Sequence, residues 1–162
     1  MKPKHEALLD AFQVALVGRD RPRLHEVCAP DLHYEDPLCA RPLAGPDELA
    51  DHVARLWQAF PDARIERLGE RLGDGRYIAA PIKLSGTHTG ELGSIPASGR
   101  PLAVHAVLIC ELDPPGERLW RVRPFFDVYG AAVQIGVLPE RGTLGERALM
   151  MVRGFGLRVR RG

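Results

Sequence analysis

The stretch between Pro46 and Pro61 limits most what this chain can fold into. Leu49, Val53, Leu56, Trp57 and Phe60 recur at i, i+4, i+7, i+8 and i+11, the spacing of one helix face. Pro46 suits a first helical position, Asp47 and Glu48 favour the positive end of the helix dipole, and Pro61 stops the helix. A stripe that wide has to be buried against another layer. Upstream, Leu8, Leu9, Phe12, Ala15 and Leu16 lay a second apolar stripe on a helix over 5–18, with Gly18 as its stop. Asp20 can cap a short helix carrying Leu24, Val27 and Cys28, ended by Pro30-Asp31.

The pattern downstream belongs to strands. Leu32–Asp36 is a short strand stopped by Pro37, and 63–72, 76–89, 102–112 and 119–129 follow. Gly73-Asp74-Gly75 and the run 113–117 mark turns, and Pro81 predicts a bulge or an edge position. Residues 130–137 read as a helical turn, 143–152 as a last helix, and 153–162 as a basic tail with a solvated end. Helices first and antiparallel strands after predict an α+β fold. About five strands need one face covered, and three N-terminal helices are available. A strongly bent antiparallel sheet closed this way makes a cone around one apolar cavity, a common small-molecule site. The 162 residues suit one domain, read as 1–140 with a C-terminal extension over 141–162.

Charge narrows the partners. Lys plus Arg is 22 against 21 Asp plus Glu, so no field favours nucleic acid or an anionic membrane. No apolar run approaches the roughly 20 residues that cross a bilayer, and Glu6 and Asp10 interrupt any signal-peptide core. A cytoplasmic location is expected. Cys28, Cys39 and Cys110 form no CxxC pair, which argues against a disulfide framework or zinc knuckle and for small apolar fillers in a reducing compartment.

Several local motifs, taken in order, resemble the SnoaL-like polyketide cyclase family of the NTF2-like superfamily. They are Asp36-Pro37, Gly45 with the helix after it, Ala59-Phe60-Pro61-Asp62, Gly86-Thr87-His88-Thr89-Gly90, Pro96-Ala97-Ser98-Gly99-Arg100, and Asp127 followed by Gln134-Ile135-Gly136. The resemblance covers residues 5–139 and implies a cyclase or isomerase that needs no metal or redox cofactor. In that chemistry a carboxylate removes a proton between two carbonyls, and the enolate closes onto another carbonyl. The resemblance makes Asp127 the acid/base, following Phe125 and Phe126 in an apolar neighbourhood that would lift its pKa. Pairing with Arg121 or Arg123 is the structural alternative.

His88 is the second catalytic candidate, placed to hold Asp127 or the enolate oxygen; a core histidine bonded to a carbonyl is the alternative. Tyr34, Trp57, His105 and Phe125 are candidate substrate contacts. Both faces of 102–112 are apolar, so the side that lines the cavity stays open at this level. His33, His88 and His105 with Asp36 or Asp127 lack metal-ligand spacing, so no metal is expected. The expected ligand is an apolar or aromatic small molecule, and the expected assembly a homodimer through the open sheet face. Two other readings stay open. One is a non-catalytic binding or dimerisation module. The other is an epoxide-hydrolase-like enzyme, for which Arg123 and Asp127 are present but no convincing second Asp is.

Overall fold

The computed structural model describes residues 1–152. The basic tail expected at 153–162 lies outside them. Helix α1 (Pro3–Gly18) and α2 (Arg21–Val27) are followed by β1 (Cys28–Tyr34), β2 (Leu43–Ala44) and α3 (Gly45–Ala59). Strands β3 (Arg64–Arg67), β4 (Leu72–Gly73), β5 (Tyr77–Thr87), β6 (Pro101–Leu112) and β7 (Leu119–Phe126) come next, then α4 (Val128–Gln134) and α5 (Leu144–Val152). The expected α+β architecture is what forms: a curved, unclosed sheet ordered β2-β1-β7-β6-β5-β3, with β4 also on β5. All pairs are antiparallel except β1 on β7.

The helix stripes read from sequence are the buried ones. Phe12, Leu9 and Ala15 of α1 and Leu49, Val53 and Trp57 of α3 join one core with the inner faces of the strands. Each of the Leu, Val and Phe side chains contributes roughly 1.5–3 kcal/mol when fully buried. Reciprocal bonds fix how α1 meets α3. The Trp57 indole N–H donates to the Leu16 carbonyl at 2.6 Å, and the Arg19 guanidinium donates to the Trp57 carbonyl at 3.0 Å.

Several boundaries change: β1 runs Cys28–Tyr34 where Leu32–Asp36 is expected, the 63–72 strand splits into β3 and β4, and the 119–129 strand ends at Phe126. Three further changes have a plain physical cause. Gly18 stays helical; Arg19 takes the left-handed position at φ 55° and its N–H caps the last turn. Its long side chain accounts for this, because it is anchored on Trp57. Pro30-Asp31 does not end α2, since the chain turns extended at Cys28 and runs through Pro30 within β1. Pro81 sits well inside β5, opposite Val107 of β6. Its missing N–H faces the other side, in the gap between the segments of β5 paired with β3 and with β4. There its carbonyl accepts from the Leu68 N–H at 3.1 Å, and no ladder bond is lost.

The outward face of β6 carries Ala103, His105, Val107 and Ile109, and the inward face Val104, Ala106, Leu108 and Cys110. That settles which side of this strand faces the core. At the end of β5 the chain folds back onto the C-terminus of α3, where the Thr89 and Gly90 N–H groups both donate to the Ala59 carbonyl. A Cβ on Gly90 would lie 2.1 Å from the Gln58 carbonyl oxygen, so only glycine fits. Gly90→Ala should therefore cost on the order of 1–3 kcal/mol. Gly18→Ala, helical with open space around it, should be neutral or stabilising by up to about 1 kcal/mol. Urea melts of the two variants check this pair.

Candidate active site

Between the helices and the inner sheet face lies an apolar cavity of about 230 Å³. Phe12 and Leu16 of α1, Val53 and Trp57 of α3, Ile82 of β5, Leu108 of β6, Phe126 of β7 and Ile135 beyond α4 contribute to its wall. Among the described residues lining it, Asp36 is the one charged side chain, and Tyr34 stands beside it.

Local sequence explains how Asp36 gets there. Tyr34 and Asp36 share a face by the two-residue period of a strand, so both turn inward as β1 ends. Asp36 then opens an Asx turn before Pro37, its Oδ1 accepting from the N–H groups of Leu38 at 2.8 Å and Cys39 at 3.0 Å. Its Oδ2 accepts from the Tyr34 hydroxyl at 3.0 Å and lies 2.8 Å from His52 Nε2. His52 is on α3, three residues after Leu49, and so within the buried stripe. Cys39 Sγ lies 3.8 Å from the same His52 nitrogen.

Burial pushes the Asp36 carboxyl upward, but the bond from His52 and its charge, the Leu38 N–H and the Tyr34 hydroxyl outweigh it. The net effect holds Asp36 below the usual aspartate value, as a buried carboxylate. Burial, with the Asp36 charge next, pushes the Tyr34 phenol well above its ordinary value and keeps it a neutral donor.

The residues expected from sequence fall in different places. Tyr34 and Trp57 line the cavity. Asp127, expected among apolar groups, is exposed; it is the N-cap of α4 and accepts from the Gly130 N–H at 2.9 Å. Its alternative partners are engaged elsewhere, Arg121 with Glu111 and Arg123 with Glu35. Asp127 borders a shallow outer recess with His105 and Gln134. His105 and Phe125 point away from the cavity, because both occupy the outward register of their strands; Phe126 is the phenylalanine that turns in. His88 is fully buried, stacked on Phe60 at 5.2 Å. Its Nδ1 lies 3.1 Å from the Ser98 hydroxyl, so it anchors the loop leading to Arg100. His88 and Asp127 are not brought together with Asp36 around the cavity.

His52 is not singled out by the sequence reading, and Asp36 enters it only within a motif and among the residues weighed as metal ligands. A histidine three and four residues from apolar positions of one stripe, and an aspartate two residues after an inward tyrosine, are the signals that mark them.

A helix-covered bent sheet around an apolar cavity with one buried carboxylate defines a small-molecule fold class. The sequence model of the SnoaL-like polyketide cyclase matches residues 6–135, and the chain belongs to that family. Among solved structures it resembles TsrD from Streptomyces laurentii, with TM-score 0.73 and 22% identity over 85% of this chain and 98% of that one. A candidate SnoaL-like polyketide cyclase from Jannaschia sp. CCS1 gives TM-score 0.74 at 18% identity, covering 86% and 98%. An NTF2-like protein of unknown function from Burkholderia pseudomallei K96243 gives 0.68 at 16%, covering 83% and 99%. At these identities the likeness is one of fold. The curated proteins give no match. No helix among the described residues is long and apolar enough to cross a membrane.

Asp36 ionises more readily in the folded chain than unfolded. The stability it contributes is therefore complete above the ordinary aspartate value, about 3.9, and is lost as pH falls through its lower folded-state value. Asp36→Ala leaves the Tyr34 hydroxyl and the His52 ring nitrogen without their buried partner, at a cost of roughly 3–5 kcal/mol near neutral pH. Denaturant midpoints from pH 7 to 3 should show the gap between wild type and Asp36→Asn narrowing towards acid.

Proposed function

We propose that the chain is a cyclase or isomerase for an apolar carbonyl compound, with Asp36 as the group that takes and returns the proton. The observation that carries this reading is the single buried carboxylate at the wall of an otherwise apolar cavity. A substrate carbon flanked by two carbonyls loses its proton to Asp36 Oδ2, and the resulting enolate attacks a further carbonyl of the same molecule. The proton then passes from Asp36 to the new alkoxide, which balances the step without an oxidant or reductant. His52, bonded to Oδ2, stabilises the carboxylate and holds its orientation, and Tyr34 supplies a neutral donor that can turn from Asp36 to the enolate oxygen. Exposed and occupied as a helix cap, Asp127 lies further from this chemistry than the motif resemblance implies.

The test is hydrogen–deuterium exchange at the acidic carbon of small cyclic 1,3-diketones, followed by proton NMR. Wild type should accelerate exchange, and Asp36→Asn should lose about 100-fold or more of that rate, the usual share of a general base. Asp127→Asn should exchange within a few-fold of wild type. Full exchange in Asp36→Asn, or loss only in Asp127→Asn, would return the role to Asp127.

A homodimer through the outer sheet face is part of the same proposal. Val107, Ile109 and Phe125 lie exposed there in adjacent registers of β6 and β7, with Phe125 56% exposed. Wild type should sediment as a dimer at micromolar concentration, and Phe125→Glu as a monomer; a monomeric wild type would remove this part.

A further inference from the structure

Around His52 three different ligand types meet. One ligand atom each from Asp36, Cys39 and His52 lies within 4.8 Å of the other two. The connectivity differs from that of a nucleophilic triad. In such a triad the carboxylate and the nucleophile sit on opposite nitrogens of the imidazole, so that the ring relays between them. Here Asp36 Oδ2 at 2.8 Å and Cys39 Sγ at 3.8 Å both approach the same atom, His52 Nε2. No relay is possible through one nitrogen. Three donor atoms of different type gathered within 4.8 Å of one another are instead what a metal ligand set requires.

We propose that Asp36, Cys39 and His52 form a binding site for a borderline-soft divalent cation of the zinc class. The donor set is one carboxylate oxygen, one thiolate sulfur and one imidazole nitrogen, the ligand types Zn²⁺ takes. Bonds of about 2.0–2.3 Å in a tetrahedron place ligand atoms roughly 3.2–3.8 Å apart. The pairs at 2.8 and 3.8 Å bracket that span and the third lies within 4.8 Å, so the side chains have to adjust by up to about 1 Å to meet it. Charge favours the fit. One carboxylate, one thiolate, one neutral imidazole and Zn²⁺ sum to zero, the least costly charge for a cluster against an apolar cavity.

The supporting groups are also in place. Asp36 Oδ1 is held by the Leu38 and Cys39 N–H groups, and Oδ2 by the Tyr34 hydroxyl, which orients the carboxylate as metal-bound carboxylates are oriented. Asp36 and His52 are buried while Cys39 is only half-buried, so an ion has a way in past the sulfur. Three protein ligands leave one coordination position for water or a ligand. This inference deepens the proposed function and rests on it in one respect: while the ion is bound, Asp36 cannot take a proton, so zinc acts as an inhibitor of proton transfer.

Purified, reduced, chelator-stripped protein is titrated with Co²⁺ and then with Zn²⁺. One equivalent of Co²⁺ per chain should bind with a thiolate-to-cobalt charge-transfer band and the visible bands of a four-coordinate ion, and Zn²⁺ should abolish both. Cys39→Ser should lose the charge-transfer band and weaken Zn²⁺ binding by at least about 100-fold, since even supporting groups around a metal are worth 10–100-fold. His25→Gln, a surface histidine paired with Asp47, should change neither. Circular dichroism confirms that Cys39→Ser keeps the native fold. A wild-type spectrum that stays that of the aqueous ion in excess Co²⁺, or a charge-transfer band that survives in Cys39→Ser, would overturn the site. Metal binding is read without turnover and proton exchange is read in metal-free protein, so failure of either proposal is visible apart from the other.

Discussion

The fold around the cavity is organised by the need to keep one carboxylate inside an apolar wall. An isolated buried carboxylate would cost several kcal/mol of lost hydration. Asp36 avoids that cost with bonds to the Leu38 and Cys39 N–H groups, the Tyr34 hydroxyl and His52. Each donor comes from a different structural decision. Tyr34 is the last residue of β1, Leu38 and Cys39 exist as donors only because the chain turns tightly after Pro37, and His52 requires the register of α3. Shifting any of these elements strips a bond from a group that cannot reach water. Networks of this kind are worth most when complete and become liabilities when partly satisfied. The carboxylate thus selects one arrangement of strand, turn and helix, and the polar end of the cavity is the outcome.

The apolar stripes of α1 and α3 were legible from spacing alone, because burial of a helix face leaves a 3.6-residue signature that no other element shares. The long strands β5, β6 and β7 were legible from their own apolar runs, while the two-residue β2 and most strand ends were not. The 63–72 segment forms only Arg64–Arg67 and Leu72–Gly73, with an interruption that faces Pro81. A proline without an N–H and a neighbouring strand with a gap are complementary, and neither half can be read without the other. The end of α1 shows the same limit. Gly18 is the residue a sequence rule picks for the left-handed position, yet Arg19 takes it, and its guanidinium reaches the Trp57 carbonyl of α3. A bond spanning 38 positions overrides a local preference.

The site was harder to read than the fold because sequence neighbours are not spatial neighbours in a strand. Phe125 and Phe126 before Asp127 suggested an apolar setting. Alternation sends Phe125 outward and Phe126 inward, and Asp127 lies past the end of β7 where α4 begins. A residue at that junction caps the helix because the first N–H groups of α4 need an acceptor. His105 illustrates a second limit. Both faces of β6 are apolar, and only the position of helices far away in sequence decides which is inside. His88 is inside, but Ser98 and the backbone around it engage it as a loop anchor. Asp36 and His52 carried legible signals that needed to be combined: an i, i+2 pair closing a strand, and a histidine within an apolar helix stripe.

The wall around Asp36 restricts what can approach it. Tyr34, Asp36 and Ser85 supply side-chain oxygens to the cavity lining, and the Trp57 N–H is already committed to the Leu16 carbonyl. The remainder of the wall is hydrocarbon and aromatic ring. A ligand group that hydrogen-bonds in water and meets only that wall is left unpaired, a loss of roughly 1–3 kcal/mol for each group. Two misplaced groups therefore cost one to four orders of magnitude in affinity. Selection in such a cavity works through exclusion: a molecule must gather its polar atoms at the Asp36 end and present an apolar body to the rest. A carbon acid whose carbonyls cluster together meets that condition, and a polyol or a highly charged metabolite of the same size does not. The apolar wall thus screens the ligand, while the bonds made to Asp36 decide its charge state, since together they outweigh the upward push of burial.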